Sequence, residues 1–258
     1  MPKCCSWTRC GRTLHPRCCK QRWMILRSGS GALADVEIPT KKSDLSVRFA
    51  SAVVMLAVAG TALWLGGVWF DQFALLVAVL CVSEFGRLVM LAFEGKAARL
   101  TALVLGGVYV GTAAYALVSL PIAVVVGILA VVIATDVGAY FSGRSIGGPK
   151  IAPRISPSKT WAGLGGGMLA AGLVSAGFFA WNSGDASLRM MMFIAFAIGA
   201  LLAVVAQTGD FFESWLKRRA GVKDSSNLIP GHGGVFDRVD GLLPVAIASI
   251  ALWAVHPA

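Results

Sequence analysis

Residues 210–241 carry the side chains whose types and spacing point most directly to chemistry. The stretch reads DFFESWLKRRAGVKDSSNLIPGHGGVFDRVDG, in a chain of 258 residues that is 57% hydrophobic and only 14% charged. Its carboxylates are hard oxygen ligands, which suit Mg²⁺ rather than zinc. The lysines and arginines beside them suit phosphate oxygens. Acids and bases around a flexible glycine turn are what phosphoryl or nucleotidyl transfer requires.

The first part of this stretch is predicted to continue the apolar helix before it. At an i, i+3, i+4, i+7 spacing, one helical face then carries Asp210, Glu213, Ser214 and Lys217. Glycines then break the helix, and those around His232 let a ligand approach the backbone and offer N–H groups to an anion. Asp237 and Asp240 follow one turn apart. The alternative interpretation is a solvated loop whose basic side chains extend towards water.

A second polar stretch, residues 134–163, reads ATDVGAYFSGRSIGGPKIAPRISPSKTWAG. Its first part places an acid, a phenol and a guanidinium on one helical face: Asp136, Tyr140 and Arg144. The loop after it, which three prolines hold extended, supplies Lys150, Arg154, Ser156 and Lys159. Gly143 and Gly148 have the spacing of a P-loop, but Pro149 stands where that motif needs lysine. The loop suits a phosphate or a lipid headgroup, or it is an ordinary basic loop on the cytoplasmic side.

Long apolar runs surround both polar stretches. A helix of roughly 20 apolar residues can cross a bilayer, and the sequence predicts seven such spans, at 49–67, 73–93, 101–120, 121–141, 161–181, 189–209 and 241–256. So many runs argue against a soluble protein with buried helices. The predicted fold class is all-α: a polytopic integral membrane protein with about seven, and between six and nine, transmembrane helices.

The net charge of +10 is distributed asymmetrically. Residues 1–48 hold ten Lys/Arg and three acids. Alternation of the spans puts the other basic loops, 94–100, 142–160 and 210–240, on the same side as this tail. The positive-inside rule makes that side cytoplasmic, where nucleotides and metal ions are available. This placement argues against nucleic acid as a partner.

Two domains are predicted, a basic and disordered N-terminal tail at 1–48 and a multi-helix transmembrane catalytic domain at 49–258. The tail holds five of the six cysteines: Cys4, Cys5, Cys10, Cys18 and Cys19. Their spacing does not match the paired CxxC frame of a zinc site. Met24 begins a segment that looks more like an ordinary N-terminus than Met1 does.

Two shorter motifs lie within the predicted spans. GLGGGMLAAG, at 163–172, is predicted to let membrane helices pack closely. SEFGR puts Glu84 and Arg87 at an i, i+3 spacing. That pair is interpreted as a structural ion pair or as part of a lipid headgroup pocket.

The stretch from 213 to 240 resembles the signature of the phosphatidate cytidylyltransferase (CDP-diacylglycerol synthase) family. That signature has a serine, a Lys-Arg pair, Lys-Asp, Pro-Gly-His-Gly-Gly, Asp-Arg and a final Asp. Its elements correspond here to Ser214, Lys217-Arg218, Lys223-Asp224, Pro230 to Gly234, Asp237-Arg238 and Asp240. DVGAYFSGRSIG and SPSKTWAG resemble earlier blocks of the family, where SPKKTWEG is usual, so Ser158 and Ala162 are departures.

The resemblance implies that CTP and phosphatidate react to give CDP-diacylglycerol and pyrophosphate, in phospholipid biosynthesis. It implies Mg²⁺ as cofactor, with a second, monovalent cation left open, and the metal ligands Asp210 and Asp237, supported by Asp240. The implied catalytic residues are Asp210, Lys217, Lys223, Asp224, His232, Asp237 and Arg238. Substrate binding is assigned to Asp136, Tyr140, Arg144, Ser156, Lys159, Ser214, Arg218, Gly231, Gly233 and Gly234.

The expected partners are CTP, phosphatidate and the lipid bilayer, with a homodimer left open. The expected location is the bacterial inner membrane, with the N-terminus and the active-site loops in the cytoplasm. One alternative is a CTP-dependent transferase acting on another lipid phosphate. A different class, a cation-coupled transporter, usually has its site near the bilayer midplane between repeated halves, whereas the acids here cluster at one end of the spans. A membrane scaffold does not explain the combination of acids, bases and glycines.

Overall fold

Long apolar helices follow one another through residues 43–183 and 189–255, the part of the chain that the computed structural model describes. In chain order they are α1 (Ser43–Leu65), α2 (Gly67–Ala92), α3 (Lys96–Ser119), α4 (Ile122–Ser145), α5 (Trp161–Ser183) and α6 (Arg189–Ala220). All six are long and apolar enough to cross a membrane. The prediction of an all-α polytopic membrane protein is confirmed.

The last predicted span is shorter than expected. After a four-residue helix, α7 (Phe236–Val239), the apolar helix α8 (Leu242–Val255) has 14 residues. At 1.5 Å per residue it rises about 21 Å, less than the roughly 30 Å of a bilayer's hydrocarbon core. The six long helices of the described residues are within the predicted range. Residues 1–42, with the five tail cysteines, lie outside the described residues.

A two-stranded hairpin interrupts the helical pattern between α4 and α5. Strands β1 (Lys150–Ala152) and β2 (Ser156–Thr160) pair antiparallel, with Lys150 opposite Thr160. The sequence predicted an extended loop here, so the extension is right and the strand pairing is additional. Pro157 is compatible with β2 because a two-stranded sheet has only edge strands.

Glycines allow α4, α5 and α6 to pack closely. A Cβ atom on Gly166 of α5 would lie 2.3 Å from the Cβ of Ser142 on α4, and one on Gly138 would lie 2.7 Å from the carbonyl oxygen of Gly166. Such distances leave no room for a side chain, so the prediction that the 163–172 motif brings helices together is confirmed. Large apolar side chains such as Leu56 and Leu201 are exposed on the outer surface, as expected where helices face lipid.

The connections rich in charge meet at one end of the bundle. Near the end of α6, the Nε atom of Arg218 donates to the carbonyl of Ile155 in the hairpin, at 3.4 Å. Arg219 donates to the carbonyl of Ala92 at the end of α2, at 3.1 Å. Ser51, in the first turns of α1, donates to the carbonyl of Pro230, at 3.0 Å. The folded chain therefore brings the basic loops together, as the alternation of spans predicted.

Candidate active site

Helix α6 extends well past its predicted membrane span. It continues unbroken to Ala220, so the prediction that Asp210, Glu213 and Lys217 lie on one helical face is confirmed. The hairpin meets this face, because the Lys159 ammonium forms an ion pair with the Asp210 carboxylate. The same ammonium lies 4.9 Å from the centre of the Phe211 ring. The two polar stretches of the sequence thus form one site.

A cavity of about 320 Å³ opens beside this ion pair. Its lining includes five residues that the sequence analysis singled out: Asp136, Tyr140, Arg144, Lys159 and Asp210. The volume is at the lower end of the range of small-molecule sites, roughly 300–1,000 Å³. Ser156, predicted to bind substrate, is buried in β2 and does not line this cavity, whereas Ser158 does.

Asp240 adds a second carboxyl group next to Asp210. Burial and then the negative charges of Asp210 and Glu213 raise the pKa of Asp240 to about 9, and its side chain is within hydrogen-bonding reach of Asp210. Its Oδ1 accepts a hydrogen bond from the Gly241 amide at 2.9 Å. Asp210 therefore has an acid and an ammonium as immediate neighbours.

Asp237 belongs to a different cluster. It accepts hydrogen bonds from the amides of Ser225 at 3.0 Å and Gly234 at 2.9 Å, and its Oδ1 lies 3.2 Å from the Lys217 ammonium. Burial opposes ionisation, but contact with Glu213, these amides and the charge of Lys217 together lower the pKa of Asp237 to about 2. This carboxylate is fully engaged with the protein.

Lys217 is likewise engaged. It lies between two carboxylates, 2.7 Å from Glu213 Oε2 and 3.2 Å from Asp237 Oδ1. In residues 43–183 and 189–255, no three side chains of the types His, Cys, Asp and Glu gather closely enough to hold a metal ion. Asp240 contacts Asp210, whereas Asp237 contacts Lys217 and two loop amides; the metal set of Asp210, Asp237 and Asp240 stays a prediction.

The His232 turn is held from three directions. Ile229 and Gly233 pair across it, with an amide-to-carbonyl distance of 2.9 Å. The Arg238 guanidinium donates to the His232 carbonyl. On the other side, the His232 Nδ1 atom lies 2.8 Å from the Ser51 hydroxyl on α1. The histidine ring is therefore positioned by Ser51, 181 residues earlier in the chain, a partner that the sequence analysis missed.

The glycines around His232 make room for the protein's own side chains. A Cβ on Gly231 would lie 2.6 Å from Arg48 Cγ, and one on Gly234 would lie 1.9 Å from Ser225 Oγ. Gly233 has a φ of +83°, which other residues rarely adopt. The Gly234 amide bonds the Asp237 carboxylate. The expected open approach for a ligand is thus corrected at Gly231 and Gly234, where side chains fill the space.

Glu84 is the main residue that the sequence analysis placed wrongly. Its carboxylate does not pair with Arg87 but accepts hydrogen bonds from the 221–241 loop. The interpretation as an ion pair with Arg87 is therefore wrong for this carboxylate, while the headgroup pocket stays a prediction. A signal existed, since an acid inside an apolar span marks a specific partner, but the sequence does not show which partner.

The remaining predicted residues lie near the end of α6 and in the 221–241 loop. Lys223, Asp224, Arg218 and Gly231 are exposed, and Ser214 is half-buried on α6. The Asp224 side chain lies beside Gly233, within 3.7 Å of where a Cβ there would be. These side chains flank the loop that carries His232, so the structure brings them to the same end of the bundle as the cavity.

Known proteins are similar to the part of the chain that forms this site. The cytidylyltransferase family matches residues 119–256, which is just over half of the chain and includes both polar stretches. A phosphatidate cytidylyltransferase of Brucella suis is 50% identical over 125 residues, and one of Pseudomonas aeruginosa is 38% identical over 131 residues. The alignments cover 47% and 50% of this chain but 43% and 47% of those proteins, so the chain spans about half the length of these curated relatives.

A longer similarity extends over most of the chain. The phosphatidate cytidylyltransferase of Rickettsia bellii is 34% identical over 235 residues, which is 86% of this chain and 95% of that protein. The similarity therefore includes helices that precede the two polar stretches.

The ion pair between β2 and α6 can be tested by its contribution to stability. Lys159→Met is expected to lower the free energy of unfolding by about 1–3 kcal/mol, because it leaves a half-buried carboxylate beside Asp240 without its cation. Adding Asp210→Asn should restore part of the loss. Chemical denaturation in detergent micelles measures both effects. Lys150→Met, at an exposed position of the same hairpin, is the matched control, and equal stability of the two lysine variants would contradict the pairing.

Proposed function

The chain belongs to the cytidylyltransferase family, and on that premise we propose that it transfers a cytidylyl group from CTP to phosphatidate, giving CDP-diacylglycerol and pyrophosphate. The observation that supports this proposal most directly is the ion pair of Lys159 and Asp210, which lies beside an open cavity at the ends of membrane helices. A water-soluble nucleotide and a membrane lipid can both reach such a position.

The reaction makes modest demands on acid–base chemistry. An oxygen of the lipid phosphate attacks the α-phosphorus of CTP, and a new phosphorus–oxygen bond forms. The bond from the α-phosphorus to the bridging oxygen breaks, and pyrophosphate leaves with that electron pair. A phosphate monoester has a second pKa of about 6, so the nucleophile is already deprotonated near neutral pH.

The main barrier is the approach of two anions. The cations Lys159 and Arg144, which line the cavity, offset this repulsion by pairing with phosphate oxygens. We assign them to substrate phosphate. Lys217 is already paired with two carboxylates, so we assign it to holding Asp237. His232, held by Ser51, is assigned to the phosphates of CTP or the leaving pyrophosphate.

We propose Asp210 and Asp240 as the residues that would hold Mg²⁺. Two carboxyl groups within hydrogen-bonding reach repel each other when both are ionised, and a divalent cation removes that repulsion. Their oxygens suit Mg²⁺, which proteins usually bind through one or two carboxylates together with substrate phosphates. When bound, the ion would neutralise charge on the phosphates. Asp237, which the resemblance implied as a ligand together with Asp210, is a weaker candidate because amides and Lys217 occupy its oxygens.

The metal proposal predicts a difference between the aspartate variants. Asp210→Asn and Asp240→Asn should raise the Mg²⁺ concentration for half-maximal activity at least tenfold, since each removes a ligand oxygen. Asp237→Asn should lower turnover even at saturating Mg²⁺, because it releases the loop. Activity of purified protein across an Mg²⁺ titration makes the comparison. If only Asp237→Asn raises the Mg²⁺ requirement, Asp237 is the metal ligand and the assignment to Asp210 and Asp240 is wrong.

The activity itself predicts pyrophosphate release from Mg²⁺, CTP and phosphatidate by the purified protein. His232→Ala should reduce the rate by roughly one to three orders of magnitude, the usual effect of losing a positioned donor or acid. Asn227→Ala, at an exposed position in the same loop, should leave the rate within about twofold of the parent. A parent protein that releases no pyrophosphate, but shows cation flux dependent on Asp210, would support the transporter instead.

We also propose that the charge-rich end of the bundle faces the cytoplasm of a bacterial inner membrane. The asymmetry of Lys and Arg supports this orientation. Single cysteines introduced as Ser145→Cys and Asn227→Cys, without the native cysteines, should react with an impermeant thiol reagent only from the cytoplasmic side. Ser183→Cys should react from the other side. Labelling of Asn227→Cys from outside would reverse the orientation and remove access to cytosolic CTP.

A further inference from the structure

Glu84 is a buried carboxylate in the middle of an apolar helix, and all its hydrogen bonds go to one loop. It lies on α2 and is 5% exposed. Its Oε1 accepts from the Ser226 hydroxyl at 2.6 Å and the Val235 amide at 3.1 Å. Its Oε2 accepts from the Ser225 hydroxyl at 3.0 Å and the Phe236 amide at 2.8 Å. The four donors saturate the carboxylate.

These donors come from both ends of the segment that carries the glycine turn. Ser225 and Ser226 precede the turn, whereas Val235 and Phe236 follow it, at the start of α7. One side chain therefore closes the loop at its base. The closure is tight, because a Cβ on Gly234 would lie 2.4 Å from Glu84 Oε2.

The base of the loop also determines where Asp237 lies. Phe236, whose amide binds Glu84, is buried at 1% exposure in the core near Leu88 and Leu216. Asp237 follows it directly and accepts the amides of Ser225 and Gly234. Glu84, on α2, thus binds the amides of Val235 and Phe236, while Asp237 binds those of Ser225 and Gly234. Together the two carboxylates fix the backbone of this loop.

We propose that Glu84 is a positioning residue for catalysis: it holds the loop of His232, Asp237 and Asp240 in register with Asp210 and Lys159. This inference rests on the proposed function for its kinetic effect, and on the hydrogen bonds alone for its effect on the loop. Glu84 does not touch the cavity of Lys159, so it acts only through the residues that it holds.

Replacing Glu84 by glutamine tests this role directly, because both carboxylate oxygens accept a backbone amide. Each carboxylate oxygen accepts one hydroxyl and one backbone amide. Either orientation of a glutamine side chain therefore places its NH₂ group against a backbone N–H that cannot turn away. Ser226→Ala removes the hydrogen bond to Glu84 Oε1 and the one that the Ser226 hydroxyl accepts from the Leu228 amide, but it places no donor against another donor.

The test compares Glu84→Gln, Ser226→Ala and the control Glu94→Gln, an exposed acid just after α2. For purified protein with CTP and phosphatidate, Glu84→Gln should lower kcat by roughly ten- to a hundredfold, as small misplacements of reacting groups do. KM for phosphatidate should stay within about threefold. Ser226→Ala should lower kcat by less than about fivefold, and Glu94→Gln should match the parent.

Hydrogen–deuterium exchange provides a readout independent of activity. In Glu84→Gln, peptides covering 222–240 should exchange faster, while peptides of α4 and α5 keep the parent's protection. Unchanged kcat, or faster exchange throughout the bundle, would overturn the positioning role. If Glu84→Gln does not fold, the Ser225→Ala/Ser226→Ala pair decides, with a kcat reduced at least fivefold expected and a parental kcat contradicting the inference. If the parent protein is inactive, the proposed function is wrong. The exchange experiment still tests whether Glu84 holds the 221–241 loop in place.

Discussion

A loop that must be both polar and fixed cannot be held by apolar burial alone, and this constraint shapes the site. The 221–241 segment, which the structure describes throughout, contains glycines at positive φ, and Phe236 is its one fully buried apolar side chain. Two carboxylates supply the missing order, because each accepts several backbone or hydroxyl donors at once. Glu84 holds the base of the loop and Asp237 holds its interior. Hydrogen bonds to charged groups are stronger than neutral ones, and partial burial keeps water from replacing them.

The packing of the helices positions the rest of the site. Close glycine packing brings α4, α5 and α6 together, so the hairpin between α4 and α5 lies against the end of α6. Lys159 then reaches Asp210, and α8 begins just after Asp240. The cavity beside this ion pair is lined by Asp136 and Arg144 of α4, Lys159 of the hairpin and Asp210 of α6. The site is built on regular elements, which fixes the separation of its charges.

Features set by local sequence were predictable, and features set by distant contacts were not. The membrane helices, the continuation of α6 through Asp210 and the close packing of the 163–172 motif follow from hydrophobicity and periodicity. The pairing of Glu84 with Ser225 joins residues 141 positions apart, and nothing in either neighbourhood specifies the other. The same holds for Ser51 and His232. The glycines were noticed correctly, but only the structure shows that side chains fill the space beside Gly231 and Gly234.

The length of α6 sets how deep the chemistry lies. Asp210 is 21 residues after the first residue of α6, Arg189, and at 1.5 Å per residue this is a rise of about 31 Å. That is close to the thickness of a bilayer's hydrocarbon core, roughly 30 Å. If α6 crosses the bilayer along its normal from Arg189, its first carboxylate comes at the opposite edge of the hydrocarbon core, next to the lipid headgroups. In the proposed reaction, a phospholipid there would not have to leave the membrane for its phosphate to meet a nucleotide arriving from water.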